Sequence, residues 1–279
     1  MRRRLLLVCA LTSSLACQAA VIVAPQDVID DYRAMLAGHA PEQARQLTGP
    51  HVRRDTVELL ITVQALRQGG YAGPIRFTAA DSYARTLLDV ETGRADLTGT
   101  SVWAQDLQGR DLDASLPLIR DGQFSAGLFA ASANLKALGC RTLAEVRSLK
   151  AVSNRAWTVD WRVLSSMRLA GLENVPVWSS MVRMVASGRV DFLLAPFQPA
   201  PDGSLSTPDG VLLPIQGVRV VLPGSRHLAL SRHGPDSAAV QKAMRLGLAE
   251  LEKDGRVRDF YRQSGFITPQ TVSYRRLNP

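Results

Sequence analysis

The sequence has few cysteines, few aromatic side chains and no long hydrophobic run. Three of its 279 residues are cysteine, and two of these, Cys9 and Cys17, lie within the first 17 residues. If that segment is removed, Cys140 has no partner, so we expect the core and not a disulfide to hold the fold. No segment reaches the roughly 18 apolar residues that a membrane-spanning helix needs.

Motifs for nucleic-acid binding, metal binding and nucleophilic catalysis are also missing. The densest basic pairs outside the first residues, at 53–54 and 275–276, have no interleaved aromatics, which indicates a solvated surface. The four histidines form no HExxH motif and no Cys/His cluster. No GxSxG motif is present, and no SxxK motif stands beside a suitable base motif. We therefore expect no nucleic acid, no metal, no cofactor and no catalytic residues.

Residues 1–19 have the pattern of an export signal. Residues 2–4 are arginines, residues 5–16 are apolar, and small residues permit cleavage after Ala19, with Cys17 at the −3 position. Residues 14–17 also resemble a lipoprotein box, although Ser14 stands where leucine is usual, so lipid attachment through Cys17 is the alternative. Removal of three arginines lowers the formal net charge from +8 to about +5. The sequence predicts a periplasmic protein.

A pattern of strand, helix, Gly-Arg-x-Asp and strand occurs twice. In the first copy, 75–79 alternates like a strand, 83–91 has a helical pattern, and the motif is at 93–96. In the second copy, 175–178 is the predicted strand, 181–186 the helix, and the motif is at 188–191. Two such copies predict two similar α/β lobes. The paired Asp96 and Asp191 suggest a catalytic pair, but hydrogen bonding of a turn within each lobe is the favoured interpretation.

Other segments complete the α/β pattern. Asp55 with Glu58 resembles a capping box at the start of an apolar helix that ends at residues 69–70. Short strands are predicted at 21–23, 150–152 and 211–213, and a helix at 160–169. A helix over about 236–253 ends at Gly255, and aromatic residues after it form a packing tail. Residues 25–50 are punctuated by proline and glycine and give no clear prediction.

The arrangement that fits these elements is discontinuous. Lobe 1 is predicted at 20–125 and 222–279, and lobe 2 at 126–221. The two connecting segments would form a hinge, which is a common device for closure around a ligand. Parallel strands in such a sheet share one carboxyl edge, where ligands bind in open α/β sheets.

At these residues the chain resembles the extracytoplasmic solute-binding proteins of the type 2 periplasmic-binding fold, and family 3 of the bacterial extracellular members in particular. The resemblance rests on residues 93–97, 188–192 and 249–257, and it covers nearly all of the chain after residue 19. It implies an α/β fold of two lobes with a hinge, and a ligand in the cleft between them. It also implies delivery of that ligand to an inner-membrane transporter.

The resemblance fails at two charged positions. Amino-acid-binding members follow a Gly-Thr loop with an arginine that holds the ligand's α-carboxylate, but here no arginine follows residues 99–101 before Arg110. Those members also place an aspartate for the ammonium group at a position that is Pro196 in this chain. Both losses count against an ordinary free amino acid as ligand.

The predicted ligand contacts follow strands or lie on the segment between the lobes. Trp103 offers a stacking surface, the hydroxyls at 100–101 offer hydrogen bonds, and an arginine at a helix N-terminus suits an anion. For the tryptophan, packing between loops is the alternative, and for the two arginines it is a surface or hinge ion pair. The complete predicted set is Arg85, Thr100, Ser101, Trp103, Arg120, Asn154, Trp157 and Phe197, with Gln198 as a weaker candidate.

These observations predict a monomeric periplasmic protein that captures a small polar or anionic molecule between two lobes, without catalysis, for an ABC-type transporter. The alternative is a sensory or regulatory module that uses the same fold to signal to a membrane partner. An exported enzyme on this scaffold is a third, more distant possibility. Loss of both amino-acid clamps also leaves open that no small ligand binds.

Overall fold

The structure is a computed structural model that describes residues 19–234 and 236–278. The arginines at 2–4, the cysteines at 9 and 17 and the apolar run at 5–16 lie outside the described residues. No helix in the described part of the chain is both long and apolar enough to cross a membrane.

Strands and helices alternate along much of the described chain. The strands are β1 Ala20–Ala24, β2 Ile75–Ala79, β3 Leu97–Thr98, β4 Val102–Trp103, β5 Leu112–Ala114, β6 Ser125–Ala131, β7 Lys150–Ser153, β8 Gly171–Asn174, β9 Phe192–Pro196, β10 Leu205–Thr207, β11 Gly210–Pro214, β12 Val218–Val221, β13 Arg226–His227, β14 Ala229–Ser231 and β15 Arg275–Arg276. The α-helices are α1 Gln26–Leu36, α2 Arg54–Gln68, α3 Tyr83–Glu91, α4 Leu135–Leu138, α5 Leu143–Val146, α6 Thr158–Ser166, α7 Trp178–Ala186, α8 Ser237–Lys253, α9 Arg256–Gln263 and α10 Pro269–Ser273. Short 3₁₀ helices span Pro41–Gln43 and Ala104–Leu107.

Two sheets divide these elements. The first has the strand order β2-β1-β3-β14-β5, and the second has the order β10-β11-β6-β9-β7-β8 with β12 along β6. Strands β4 and β13 form a separate two-stranded ribbon. We call the first sheet with its helices the first unit, and the second sheet with its helices the second unit. The predicted α/β class is confirmed.

The internal repeat is confirmed in three dimensions. Parallel strands run in the order β2-β1-β3 in the first unit and β8-β7-β9 in the second. The glycine that opens each Gly-Arg-x-Asp copy has a φ of +73°, a left-handed value that favours glycine. Asp96 accepts the N–H of Val21 at 2.8 Å, and Asp191 accepts the N–H of Lys150 at 2.7 Å. Each aspartate thus bonds within its own unit, as expected, but to the central parallel strand and not to a turn.

Several predicted elements need correction. The second-copy strand is Gly171–Asn174 and not 175–178, because it pairs with β7 through that register and Pro176 has no N–H to continue the ladder. Residues 25–50 contain the helix α1, which follows Pro25 and buries Val28, Ile29, Tyr32 and Leu36. The predicted capping box at the start of α2 is also wrong. Arg53 is the N-cap residue without a side-chain bond, and Glu58 is wholly buried in other contacts.

The chain passes between the units twice, at about 115–124 and 222–228. These two passages pair with each other, since Arg226 donates its N–H to the carbonyl of Ile119 at 2.8 Å. Strand β15, near the C-terminus, pairs with β12 beside the second sheet, through Val218 and Arg275. The boundaries predicted for the two lobes stay a prediction.

Helices α2 and α8 pack so closely that only glycine fits at their contact. A Cβ atom at Gly247 of α8 would overlap the carbonyl group of Ala65, and one at Gly69 would overlap that of Ala243. These backbones belong to rigid helices, so the overlap cannot be relieved by turning a side chain. The close contact holds α8 against α2, the helix that carries Arg54, Asp55 and Glu58.

Replacement of Gly247 by alanine therefore tests this packing. In an ordinary helix interior, Gly→Ala adds about 0.5–1 kcal/mol of stability. Here we expect Gly247→Ala to lower the free energy of unfolding by about 1–3 kcal/mol, since overpacking moves the backbone. Urea unfolding measures the change, with Ala249→Gly on the exposed face of α8 as the control for helix propensity. A gain in stability on Gly247→Ala would contradict the packing.

Candidate functional site

Four separate parts of the chain bring charged or polar side chains to one buried position. These parts are the first turns of α2, the loop after β3, strand β13 and helix α9. We name the group the arginine cluster: Arg54, Asp55, Glu58, Ser101, Arg226 and Tyr261. The two arginines are each only 8% exposed, although the pair at 53–54 was expected on a solvated surface.

Glu58 is the central acceptor of the arginine cluster. One of its carboxylate oxygens accepts the hydroxyl of Ser101 at 2.8 Å, the hydroxyl of Tyr261 at 2.9 Å and a guanidinium N–H of Arg54 at 3.0 Å. The other oxygen accepts the backbone N–H of Ser101 at 2.8 Å. Burial and the charge of Glu58 raise the pKa of Tyr261 well above its ordinary value, so its hydroxyl stays protonated and donates.

Asp55 and Arg54 form a second ion pair at the same place. Burial opposes ionisation of Asp55, but the guanidinium groups of Arg54 and Arg53 hold its pKa below the ordinary value. Arg54 thus lies between two carboxylates, those of Asp55 and Glu58. Its charge is balanced by direct contacts.

Arg226 differs from Arg54 because it has no carboxylate contact. Its guanidinium lies 4.6 Å from the ring centre of Trp103 and 5.3 Å from that of Phe124, and it donates to the hydroxyl and the carbonyl of Ser101. No carboxylate oxygen of the described residues lies within 4.0 Å of it. Burial and the neighbouring Arg54 lower the pKa of Arg226, but a guanidinium stays charged at neutral pH. Arg226 is a buried cation without an anion in contact.

Asp160 presents the opposite charge from the second unit. It lies in the first turn of α6 and is half-buried. Burial raises the pKa of Asp160 to about 6, although Arg226 and Arg54 act in the opposite direction. No lysine, arginine or histidine nitrogen of the described chain lies within 4.0 Å of its carboxylate. Each unit thus brings a charge without an opposite charge in contact, and Arg226 is near enough to act on the pKa of Asp160.

A chain of hydrogen bonds joins the two units beside this pair. The hydroxyl of Tyr83 donates to Asp106 at 2.8 Å, and the hydroxyl of Thr158 donates to the other oxygen of Asp106 at 3.0 Å. Thr158 in turn accepts a side-chain N–H of Gln105 at 2.8 Å. Thr158 is the first residue of α6 in the second unit, whereas the other three residues belong to the first. We name these four residues the inter-unit chain.

One predicted contact, Ser101, belongs to the arginine cluster, and another, Trp103, packs against it. Both are buried, with 1% and 2% exposure. The polar groups of Ser101 already bond to Glu58 and Arg226, and the ring of Trp103 packs on Arg226 and, at 5.2 Å, on Phe124. Thr100, just before them, is half-buried. Contact of these residues with a ligand stays a prediction. Because Arg226 bonds to Ser101 and packs on Trp103, it would have to be part of the same contact.

The two predicted arginines lie elsewhere, in ion pairs. Arg85 donates to Asp89 one turn along α3 at 2.8 Å, and Arg120 lies 3.7 Å from Glu252 of α8. Their side chains are more than half exposed. A surface ion pair was the alternative interpretation for both, and these contacts agree with it, while a role in ligand binding stays a prediction.

In the second unit, Asn154 and Trp157 stand at the carboxyl end of β7, just before Asp160. Asn154 accepts the N–H of Ala156 at 2.9 Å, and Trp157 packs beside Trp178, with ring centres 6.2 Å apart. Their place is the one that the repeat predicts, at the edge that corresponds to residues 99–101 of the first unit. Contact with a ligand stays a prediction for both.

Phe197 lies apart from the arginine cluster. It is buried, its ring is 5.7 Å from that of Tyr274, and it lines a cavity of about 520 Å³. The cavity lies between residues 197–203 of the second unit and the segment 262–274, and Gln198 also lines it. None of the arginine-cluster residues lines this cavity.

Sequence reasoning missed the residues that carry the site's charge. Arg226 stands in the mostly apolar return segment 218–231, which also holds Arg219, so the sequence does not mark it as the buried one of the two. Asp160 was assigned only as the start of a helix, and Glu58 only as part of a cap. No group of three or more metal-binding side chains occurs in the described residues.

Neither a protein-family model nor a curated protein matches this sequence. Solved structures do match. One is an amino-acid ABC transporter substrate-binding protein from Streptococcus pneumoniae bound to L-arginine, with 16% identity, a TM-score of 0.57, and coverage of 90% of this chain and 95% of that one. Another is the GluR0 ligand-binding core from Nostoc punctiforme in complex with L-glutamate, with 14% identity, a TM-score of 0.51, and coverage of 88% and 98%.

A third similar structure is the ancestral amino-acid-binding protein AncCDT-1, a precursor of cyclohexadienyl dehydratase. It has 13% identity and a TM-score of 0.53, and the match covers 88% of this chain and 95% of that one. At such identities the likeness establishes the fold. The chain has the two-lobed type 2 periplasmic-binding fold, as the sequence resemblance predicts.

The pKa of Asp160 predicts a pH-dependent stability. Because its folded pKa of about 6 exceeds the ordinary 3.8, the folded state binds more protons than the unfolded state between these values. The free energy of unfolding therefore falls as the pH rises through this window. Asp160→Asn removes the ionisation, so we expect it to raise the free energy of unfolding at pH 7.5 by about 1 kcal/mol, a value reduced for partial exposure.

Urea unfolding at pH 4.0 and pH 7.5 measures this effect. The gain from Asp160→Asn should be present at pH 7.5 and nearly absent at pH 4.0. Asp81→Asn, at an exposed loop position, is the matched control and should show neither. An equal change at both pH values would mean that the ionisation of Asp160 is not the cause.

Proposed function

We propose that this chain is an extracytoplasmic solute-binding protein that holds an amino acid between its two units. The observation that carries the proposal is the pair of uncontacted opposite charges, Arg226 beside the first unit and Asp160 on the second. The fold supports it, since similar structures include proteins with L-arginine and L-glutamate bound.

An amino acid complements these charges at both ends. A guanidinium binds a carboxylate with charge-assisted hydrogen bonds, and the two rings that flank Arg226 fix its plane. An ammonium group beside Asp160 would offset the cost of burying an ionised carboxylate. The carboxylate-binding arginine would thus come from β13 and the ammonium-binding aspartate from α6. At the two positions where amino-acid-binding members of the family carry these residues, after the Gly-Thr loop and at Pro196, this chain has no charged residue.

The same charges explain why a ligand would favour closure. In the arrangement of the structure, the carboxylate of Asp160 is half-buried with no cation in contact, and its raised pKa reflects the cost of that burial. A bound ammonium removes the cost only in the closed arrangement. A ligand that interacts more strongly with one arrangement shifts the population toward it.

Delivery to an inner-membrane transporter and a periplasmic location belong to this proposal. They rest on the export signal predicted at 1–19 and on the substrate-binding proteins among the similar structures. The lobes would be 20–125 with 222–279, and 126–221. The sensory alternative has no observation of its own in its favour.

Binding without turnover is also part of the proposal. The ancestral neighbour is an amino-acid-binding protein and a precursor of a dehydratase. Product analysis after incubation with each bound amino acid therefore accompanies the binding measurements, and formation of any product would replace the binding role with an enzymatic one.

Binding of the twenty L-amino acids by residues 20–279 is the first test, by thermal shift and then calorimetry. A ligand at 100 times its dissociation constant adds about 2.7 kcal/mol of stability, which is a shift of about 5–10 °C for a chain of this size. Arg226→Lys keeps the charge and loses the planar fork, and Asp160→Asn keeps the shape and loses the charge. We expect each to weaken binding at least about tenfold, since hydrogen bonds to charged groups are lost.

Arg189→Lys and Asp81→Asn are the matched controls, because both residues are exposed and lie outside the site. A ligand analogue without the amino group gives a sharper readout. It should bind the unaltered protein weakly, and Asp160→Asn should reduce its binding little further, because the two changes remove one interaction. Unchanged affinity in both site variants, or no amino-acid binding at all, would reject the proposal.

A further inference from the structure

A second cavity, of about 270 Å³, lies at the end of α2 that is remote from the arginine cluster. Most of the 15-residue length of α2, about 20 Å, separates it from Arg54. The 3₁₀ helix Pro41–Gln43, the last turns of α2 and the first residue of α9 surround this cavity. We name its lining residues the basic pocket: Glu42, Arg45, Gln64, Arg67, Gln68 and Arg256.

Neutral oxygen atoms hold two of the arginines of the basic pocket in place. Arg67 donates to the backbone carbonyls of Tyr71 and Gly73, at 2.8 and 2.7 Å. Arg45 donates to two carbonyls of its own turn, at 2.6 and 2.9 Å. A carbonyl fixes the position of a guanidinium without cancelling its charge. Both arginines therefore keep a positive charge that can act on a ligand.

Gln64 builds the basic pocket from the inside. Its side chain is buried, with 3% exposure. Its amide nitrogen donates to the carbonyls of Pro41 at 2.7 Å and Ala44 at 3.0 Å. Its amide oxygen accepts a guanidinium N–H of Arg256 at 3.3 Å. One buried amide thus positions both Arg256 and the turn that carries Arg45, which lowers the cost of ordering them around a ligand.

Positive charge exceeds negative charge in the basic pocket. Glu42, which lies 3.3 Å from Arg67, is the one carboxylate among the lining residues. Asp254 lies outside the lining, 3.9 Å from Arg256. No carboxylate of the described residues lies within 4.0 Å of Arg45. Burial and the charge of Arg45 lower the pKa of Arg256, but guanidinium groups stay charged at neutral pH. An anion between these arginines would relieve their repulsion.

The charge and the donor geometry of the basic pocket match a terminal phosphate group. Three guanidinium groups and the single carboxylate of Glu42 leave two positive charges. A phosphate group with one ester bond or none carries about two negative charges at neutral pH. Guanidinium groups bind such a group through parallel, charge-assisted hydrogen bonds. A carboxylate ligand would balance only half of the excess charge.

We propose that the basic pocket binds a terminal phosphate group, as free phosphate or as a phosphomonoester. Arg45, Arg67 and Arg256 contact the phosphate oxygens, and Gln64 is a positioning residue. The basic pocket and the arginine cluster share no residue. Phosphate binding is therefore independent of amino-acid binding, and either proposal can fail without the other.

Calorimetric titration of residues 20–279 with inorganic phosphate, at pH 7.5 and constant ionic strength, is the first test. We expect saturable binding to one site. Arg256→Gln and Arg45→Gln should each weaken it at least about tenfold, because each removes hydrogen bonds to a charged group. Arg258→Gln is the matched control, because that residue is exposed on the same helix and outside the lining. Amino-acid affinity, measured in the same variants, should not change.

Glu42→Gln gives a change of opposite sign. Removal of this exposed carboxylate takes away a repulsion, so we expect phosphate to bind about threefold tighter, the size of a surface charge interaction. Glu173→Gln, at an exposed position of the second unit, makes the same change in net charge and should leave the affinity unaltered. A purely structural role of the basic pocket predicts no gain for Glu42→Gln.

Sedimentation with phosphatidylcholine vesicles that contain phosphatidic acid distinguishes the two sources of the phosphate group. Retention of the protein that Arg256→Gln abolishes and Arg258→Gln does not would assign a lipid headgroup. Binding of free phosphate without retention would assign a soluble ligand. Absence of both, or equal losses for Arg256→Gln and Arg258→Gln, would overturn the proposal.

Discussion

The buried carboxylate of Glu58 is the constraint on which the rest of the structure depends. It joins three segments that are distant in sequence, since α2 carries it, the loop after β3 supplies Ser101, and α9 supplies Tyr261. A buried carboxylate is tolerated only where cations and hydrogen-bond donors surround it, and Arg54 provides the cation. Removal of one partner of such a group leaves the other uncompensated and is strongly destabilising. Glu58 therefore determines where Ser101 lies, and with it the place of Arg226.

Close helix packing supports this arrangement from behind. Gly69 and Gly247 let α2 and α8 approach at backbone distance, which anchors the C-terminal end of the helix that carries Glu58. Aromatic rings continue the support, because Phe266 packs on Tyr261 and on Phe124, and Phe124 lies against Arg226. The charged groups of the site are thus held by apolar contacts on one side and face the second unit on the other.

The two units are nearly equivalent in their parallel strands and different in what they bring to the boundary. The first unit and its ribbon contribute a cation held by rings and by Ser101, and the second contributes Asp160 at a helix start. Between them, the hydroxyl of Thr158 donates to Asp106 across the boundary, and burial raises the pKa of Asp160. The proposed binding role requires that a ligand interact more strongly with one arrangement of the units than with another, and the unpaired charges of Arg226 and Asp160 provide that difference.

Local patterns in the sequence predict much of the fold, because strands, helices and turns follow from periodicity and from glycine. The repeated Gly-Arg-x-Asp motif predicts two α/β lobes, since a glycine with positive φ and a carboxylate that binds a strand N–H are both local requirements. The spacing of Val28, Tyr32 and Leu36 was also visible, and α1 was missed only because proline and glycine in the same stretch outweighed it.

The site was decided by tertiary structure. Arg226 acts beside Ser101, 125 residues away in the chain, and Asp160 faces both from another sheet. No local rule relates such residues, because burial and charge pairing depend on which segments meet after folding. By itself the sequence determined two α/β lobes and the edges where a ligand would lie. Only the tertiary structure decided which charges stand at those edges, because the electrostatic energy of a side chain depends on neighbours that the chain order does not supply.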